Sequence, residues 1–521
     1  MSSKTHLRVI DAAKTQPPPP SDLPLIRIED GSLPDNVRAI AAALARAPDL
    51  FTFGERLVRL HPGAKGATVV PVEPAHVVEL VGVYASLTKF DGRSGADRPA
   101  DCPRRLADAY IARRHHPEHK QLHGVVEAPT ITADGRLLDR PGYDPESGLF
   151  VACTPADLPN YPGINPQPDA EDAKAAIELL LDALDSWPFV EAGDRSAALA
   201  ALLGTIVRRS IPAAPMAGIT ATAAGTGKSL LADWISIIAT GSRPAVMSLG
   251  RNDDENEKRL AGAFLAGDPV IALDNISFPL GFDLLCQVCT QPRARFRPLG
   301  GSALVTVPTN AQLIATGNAL TITGDLKRRT LLIRLDAGME RPELRRFDRD
   351  ALEYARAERG RLIAAALTIP LAYIAAGSPA VDLPPVGSFS EWDHLVRRPL
   401  RWLGLPDPLA PAETLREFDP ELEAARLLLS AWFDAFKSKP TTAVEVVSAA
   451  LSVGPASGEY QHPDLREALQ LICHEKITAR RLGGWLRSNR GRIVDGLRAV
   501  QTGTDGHSKT ILWSVSADGG E

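Results

Sequence analysis

Between Gly218 and Leu231 the chain reads Gly-Ile-Thr-Ala-Thr-Ala-Ala-Gly-Thr-Gly-Lys-Ser-Leu-Leu. An apolar strand end runs into a loop of small residues, then a lysine, a hydroxyl and a helix start. Gly225 and Gly227 let backbone N–H groups turn inward around a phosphate, and the helix N-terminus behind them adds a favourable dipole. A lysine at 228 reaches β- and γ-phosphates, and the Ser229 hydroxyl suits Mg²⁺. Thr222, Gly225, Thr226, Gly227, Lys228 and Ser229 are therefore the candidate nucleotide-binding residues, with ATP and Mg²⁺ as the expected cofactors. The pattern GxxxxGK[ST] is met except at its first position, where Thr222 stands for glycine. That position needs a tight turn more than a bare backbone.

Three later segments supply the remaining parts of phosphoryl-transfer chemistry. Val270 to Leu273 is an apolar run ending in Asp274, a carboxylate delivered by a buried strand to share the metal with Ser229. Ala311 to Gly317 is a second such run ending in Asn318, whose amide can orient an attacking water. Gly324 to Arg329 then precedes the strand-like Thr330–Leu335, and either Arg328 or Arg329 can act as a finger on a neighbouring subunit's γ-phosphate. Lys228, Asp274, Asn318, Arg328 and Arg329 are the candidate catalytic residues.

These segments need a scaffold that brings strand ends to one edge. From about 169 to 350 apolar strands alternate with helical segments, the α/β signature. Ahead of that core, residues 1–30 read as a disordered leader containing Pro17 to Pro20, and 31–168 as a small α+β module. A helical and loop-rich connector over 351–420 and a compact unit over 421–521 follow. The fold class is α/β: a P-loop core, an N-terminal α+β module and a C-terminal winged helix.

Two regions carry concentrated positive charge. Arg293, Arg295 and Arg297 precede Gly300-Gly301 in a strand–turn–strand pattern, a hairpin with arginines on its first arm. Arg295 and Arg297 are candidate DNA contacts; a surface hairpin with scattered charge is the alternative. In the tail, Arg480, Arg481, Arg487, Arg490 and Arg492 face a single acid, Asp495. Thr478 reads as an N-cap, with Leu482, Trp485 and Leu486 at helical spacing, then two strands around a Gly503–Gly506 turn. A basic helix and wing on an acidic chain are the footprint of phosphate-backbone binding, with a protein partner as the alternative.

Composition bounds the rest. The 521 residues suggest about three domains. With 58 basic and 63 acidic residues the net charge is −5, which excludes a bulk basic coat and leaves local patches for any polyanion. Five cysteines are too few for a disulfide framework, so a reducing, cytoplasmic location is expected. Cys286 and Cys289 form a lone CxxC that reads as a helix-face coincidence. His115, His116, His119 and His123 look like a metal cluster, but Pro117 disfavours a helix through His116, and a solvated loop is expected. No apolar run follows the charges of MSSKTHLRVIDAAK, and none approaches the ~20 residues of a membrane span, so neither a secretory signal nor a membrane partner is expected.

The phrases TAAGTGKSLLAD, DDENEKRLAGAFLAGDPVIALDNI, RFRPLG, LIATGN and GDLKRRTLLIRLD together resemble an AAA+ ATPase of the superfamily 3 helicase type. More closely, they resemble replicative helicase-like proteins of phages, prophages and plasmids. PTITADGRLLDRPGYDPESGLF and GSFSEWDHLVRRPLRWLGLPDP look similar to flanking segments of the same proteins. The resemblance implies a homo-oligomeric ring, usually a hexamer, that hydrolyses ATP between subunits and moves along DNA, with a primase or other replication proteins as further partners. It also implies that the arginine hairpin is the pore element gripping DNA. An origin-binding initiator using ATP for assembly, or an AAA+ remodeller of protein partners, are the alternatives. Two departures stand out. Asn275 follows Asp274 where many AAA+ proteins place a glutamate as base; either Asp274 combines the metal and base roles, or another carboxylate serves, with Glu255 and Glu257 as candidates and a charged helix cap as the other reading of those two. No primase-polymerase-sized domain fits before residue 170, so polymerisation is not expected.

Overall fold

The computed structural model describes residues 23–63, 66–113, 115–153, 157–297, 304–345, 349–417, 420–454, 460–473, 476–506 and 509–517. The chain divides into two compact units, 1–412 and 413–521.

The first unit opens with β1 (Leu25–Ile28), α1 (Leu33–Leu44), β2 (Leu50–Phe53), β3 (Arg56–Gly63), β4 (Gly66–Pro71), α2 (Pro74–Tyr84), β5 (Ser86–Asp91), β6 (Ala96–Pro99) and α3 (Arg104–Ala112). Strands β1-β5-β6 form one sheet, and its buried residues join those of α1, α2 and α3 in one small core, including Ile26, Ile40, Leu80 and Tyr110. The expected leader over 1–30 is corrected at its end: Leu25–Ile28 pairs in parallel with Ser86–Lys89, burying Ile26 and Ile28. Four alternating residues are too short a run to separate from a leader by pattern alone. Residues 1–22 lie outside the described residues.

Short strands follow: β7 (Lys120–Leu122), β8 (Gly124–Val126), β9 (Thr130–Ile131), β10 (Leu137–Leu138), β11 (Gly142–Asp144) and β12 (Leu149–Val151). β7 completes a sheet of order β4-β3-β2-β7, and β8 pairs with β12. This region merges with what comes next. Ile131 and Leu158 belong to the same buried cluster as α4 (Ala170–Ala183) and α5 (Ala192–Val207), and the Thr130 hydroxyl donates to Ile206 O at 2.9 Å. The boundary expected near 169 is therefore not a boundary between compact units.

The central layer is a five-stranded sheet of order β14-β15-β18-β13-β19, built from β13 (Met216–Ala221), β14 (Ala245–Met247), β15 (Val270–Leu273), β18 (Gln312–Asn318) and β19 (Thr330–Leu335). Every pairing is parallel. The strands read as near-continuous apolar runs because a parallel sheet is buried on both faces. Helices α6 (Lys228–Thr240), α7 (Asp253–Ala266) and α8 (Asp283–Thr290) make the connections, and the hairpin β16 (Arg293–Phe296) and β17 (Val305–Pro308) leads into β18. From β13 the chain crosses to the far edge and later returns to β13's other side as β19. That reversal opens a crevice at the carboxyl ends of the strands, the usual ligand position in open α/β sheets.

The region expected as a connector, 351–420, is instead part of this core. α9 (Ala351–Ala357) and α10 (Arg359–Ala375) bury Leu352, Leu362, Ile363 and Leu367 in the same cluster as the sheet. Short helices α11 (Ser390–Trp392) and α12 (Arg398–Trp402) add Trp392 and Leu400. α10 is apolar all round, so it lies inside rather than on the surface.

After α13 (Ala410–Glu417), the second unit contains α14 (Pro420–Phe436), β20 (Thr441–Thr442), α15 (Ala443–Leu451), α16 (Pro463–Cys473), α17 (Ala479–Ser488), β21 (Ile493–Val494), β22 (Leu497–Thr504) and β23 (Ile511–Ala517). Its sheet order is β20-β23-β22-β21, all antiparallel. Trp432, Leu469, Leu482, Leu486 and Trp513 fill its core.

Candidate functional site

The loop between β13 and α6 is shaped by two left-handed residues, Gly225 at φ 76° and Gly227 at φ 100°. A side chain is strained there, which is why both are glycine. The Thr226 hydroxyl donates to Ala223 O at 2.8 Å, and Trp187 Nε1 donates to Gly227 O at 3.2 Å, fixing the loop on both sides. α6 begins at Lys228, so its unpaired N–H groups open towards the loop. Lys228 Nζ donates to Ala223 O at 3.1 Å and to Asn318 Oδ1 at 2.7 Å. Partial burial holds this ammonium below its ordinary range, and the Asp274 carboxylate acts in the opposite sense. Thr222 is exposed at the start of the turn.

Beside the lysine, one oxygen of Asp274 collects two hydroxyls. Ser229 Oγ donates to Asp274 Oδ1 at 2.9 Å, and Thr316 Oγ1 donates to the same atom at 2.6 Å. Thr316 also accepts the Asn275 N–H at 3.1 Å. Asn275 (φ 55°) and Ala319 (φ 47°), the residues directly after Asp274 and Asn318, are both left-handed. Asparagine tolerates that conformation better than most side chains, so Asn275 suits the turn that aims Asp274. Strained backbone of this kind clusters at functional sites.

Lys228, Ser229, Asp274 and Asn318 thus come together although up to 90 residues separate the hydrogen-bonded pairs. Sequence reasoning missed Thr316 and Trp187. The signal for Thr316 was present, a lone hydroxyl in the apolar run before Asn318. Another carboxylate close to the site is Asp233 on α6, pushed up by burial, stabilised by its 3.1 Å ion pair with Arg243 and raised again by Asp274. Of the expected substitutes for a base, Glu255 sits in the first turn of α7, where Asn252 caps the Glu255 N–H at 3.2 Å, and it pairs with Arg259 at 3.4 Å. Glu257 is pushed up by burial and by Asp254, Asp253 and Asp283.

The two candidate finger residues divide. Arg329 is held within its own chain, donating to Cys286 O, to Thr290 Oγ1 at 3.2 Å and to Asp325. Its side chain is only 16% exposed, against 63% for Arg328, whose one ion pair among the described residues is also with Asp325.

Alternation in β16 buries Ala294 and Phe296 and exposes Arg293 and Arg295, with Arg297 exposed just beyond. Phe296 stacks on Phe264 of α7 at 5.6 Å between centroids, which holds the arginine face outward. In the second unit, the Thr478 hydroxyl accepts the Arg481 N–H at 3.3 Å and starts α17. Arg480, Arg481 and Arg487 are exposed on α17, and Arg490 and Arg492 are exposed in the turn after it. Arg481 donates to Cys473 O at 2.5 Å, Arg490 to Gln501 Oε1 at 3.2 Å and Arg492 to Asn489 Oδ1 at 3.2 Å.

The histidines depart from the expected solvated loop. His116 and His119 are buried against Tyr110, whose hydroxyl lies 2.6 Å from His119 Nε2. Burial lowers both imidazoles, His119 to about 4, so they pack as neutral rings. Among the described residues no cluster of three or more His, Cys, Asp or Glu could hold a metal. Cys289 is buried on α8 with its thiol pushed up to about 12. No described helix is long and apolar enough to cross a membrane.

No protein-family model matches the chain, and neither does any curated protein. Among solved structures, the apo C-terminal region of NrS-1 is similar at 15% identity over 85% of this chain and 99% of that one, with a TM-score of 0.35. A second structure of that region gives 13% identity, 86% and 100% coverage and a TM-score of 0.36. JCV helicase is similar at 13% identity over 49% of this chain and 70% of that one, with a TM-score of 0.20. Likeness of this weakness identifies neither a family nor an activity.

Proposed function

We propose that the chain is an ATP- and Mg²⁺-dependent DNA translocase or helicase of the AAA+ superfamily 3 type, acting in replication of a mobile element. The observation that supports it most is the convergence of Lys228, Ser229, Asp274 and Asn318 at the carboxyl ends of adjacent parallel strands. The residues fit the two cofactors. The left-handed glycines and the α6 N-terminus suit a triphosphate, and Ser229 Oγ with the Asp274 carboxylate is a hard-oxygen pair suited to Mg²⁺. Bound Mg²⁺ would neutralise charge that develops on the transferred phosphoryl group.

This chain's own residues do the rest. Lys228 exchanges its contacts with Ala223 O and Asn318 for phosphate oxygens, which frees the Asn318 amide to orient a water. Thr316 keeps Asp274 aimed by donating to Oδ1. Arg328, the exposed member of its pair, is the residue to act in trans within a homo-oligomeric ring, and Arg329 positions it by anchoring the segment to α8. The winged-helix tail, with Arg480, Arg481, Arg487, Arg490 and Arg492, attracts duplex DNA, and Arg295 and Arg297 of the hairpin contact the strand in the pore.

Steady-state ATP hydrolysis by the full chain, with and without single-stranded and forked DNA, tests the reading. Stimulation by DNA is expected. Turnover insensitive to DNA favours an initiator, and turnover raised only by a protein partner favours a remodeller.

A further inference from the structure

At the opposite end of the sheet from the nucleotide site lies a cavity of about 490 Å³. Three parts of the chain line it: Arg136 and Glu146 from the N-terminal region, Arg209 and Ser210 after α5, and Arg293 at the root of the arginine hairpin. Pro212, Pro292 and Pro308 form rigid wall without N–H donors.

Its donors are incompletely satisfied. Arg209 is 8% exposed and has no carboxylate within ion-pair distance among the described residues. It donates to Asn310 Oδ1 at 2.7 Å and Gly267 O at 2.5 Å, both neutral acceptors, and its Nε has no partner. Glu127 and Asp268 act on it only from further off, and burial holds it down at about 10. Ser210 Oγ and Arg136 Nε are buried and unpartnered as well. A buried cation without a counter-ion is costly, and an anion in the cavity relieves that cost. The lining acids are Asp134, which accepts from Thr132, and Glu146, which pairs with Arg136 at 3.1 Å but is 74% exposed. Arg136 keeps a bidentate partner, Asp144 at 3.1 and 3.0 Å, when Glu146 leaves.

The hairpin ties this cavity to nucleic acid. Arg293, Arg295 and Arg297 are spaced at two-residue intervals, about 6.6–6.8 Å apart along an extended chain, comparable with successive phosphates of an extended single strand. The N-terminal region also buttresses the hairpin: at Gly54, in the left-handed region, any Cβ would collide with the Thr306 carbonyl of β17.

We infer that the cavity is a phosphate-binding site for a single-stranded nucleic-acid backbone, in which a phosphate replaces Glu146 on Arg136 and is shared with Arg293 at the hairpin root. It rests on the DNA-directed reading above and gives the N-terminal region a part in it. The test measures anisotropy of a fluorescein-labelled oligothymidylate with the full chain across a salt series. Arg293→Ala should weaken binding several-fold and flatten the slope of log affinity against log salt by about 0.7. Glu146→Gln, at an exposed position, should tighten binding several-fold. ATP turnover without DNA should stay at wild-type level in both variants, because the nucleotide pocket lies at the other end of the strands. Unchanged affinity and slope in both variants overturn the inference, as does absence of oligothymidylate binding by the wild type. Saturable binding of free thymidine monophosphate that Arg293→Ala abolishes, with oligothymidylate binding untouched, overturns the single-strand assignment. ATP turnover measured on the same samples judges the nucleotide site separately.

Discussion

Lys228 Nζ donates to Asn318 Oδ1 at 2.7 Å, joining the start of α6 to the end of β18 across 90 residues of sequence. On the proposed reading, the contact couples the group that would hold phosphate to the group that would orient water. Lys228→Ala should abolish ATP hydrolysis and leave the melting temperature near wild type. Asn318→Ala should lower kcat by on the order of 10²-fold with little change in KM, because orienting a nucleophile matters mainly in the transition state. Steady-state kinetics and a thermal melt of each variant check both.

The division between Arg328 and Arg329 makes an assembly prediction. Mixtures of Lys228→Ala and Arg328→Ala protein should recover part of the ATPase activity, since mixed assemblies of the proposed ring would contain some intact composite sites. Arg329→Ala should instead destabilise the chain by about 1–3 kcal/mol, because its partners are Cys286 O, Thr290 and Asp325 of the same chain. Absence of rescue at every mixing ratio would assign Arg328 a role in cis.

For the second unit, the expectation is read from salt dependence. Replacing Arg480, Arg487 and Arg490 together by alanine should weaken duplex binding and flatten the slope of log affinity against log salt by up to about three units. ATP hydrolysis without DNA should stay near wild type. An unchanged slope with unchanged affinity would show that this face meets a protein.

Glu127 supplies a pH test independent of activity. Burial pushes its carboxyl up to about 7, against the smaller opposing effects of Arg359 and Arg209. The folded state therefore holds a proton that the unfolded chain has released. Stability from this group is full below the unfolded value near 4.5 and is lost as pH rises towards 7, by up to about 3 kcal/mol. Glu127→Gln should flatten that part of the stability–pH curve and raise stability at pH 8. Denaturant unfolding of both proteins from pH 4.5 to 8 measures it.

How far the molecule could be read from its residues depended on how local the physics is. Gly225, Gly227, Lys228 and Ser229 stand out in the sequence because the phosphate-loop pattern constrains residue type at consecutive positions, and Asp274 and Asn318 because each ends an apolar run. Thr316 was not singled out: its importance lies in a hydrogen bond to a residue 42 positions away. The same holds for Arg329, whose partners on α8 decide that it is anchored rather than presented. α10 resembled connector because an apolar helix looks alike whether it caps a core or fills one, and burial of His116 and His119 depends on Tyr110, which periodicity does not place. The strand β1 went unseen because it exists only through pairing with β5.

Strand separation on a forked duplex tests the central claim most directly. The 521-residue chain with ATP and Mg²⁺ should release the labelled strand on a fork bearing one of the two tail polarities, and Lys228→Ala should release none under the same conditions. Wild-type protein that hydrolyses ATP yet separates neither fork, or Lys228→Ala protein that unwinds as well as wild type, would contradict it.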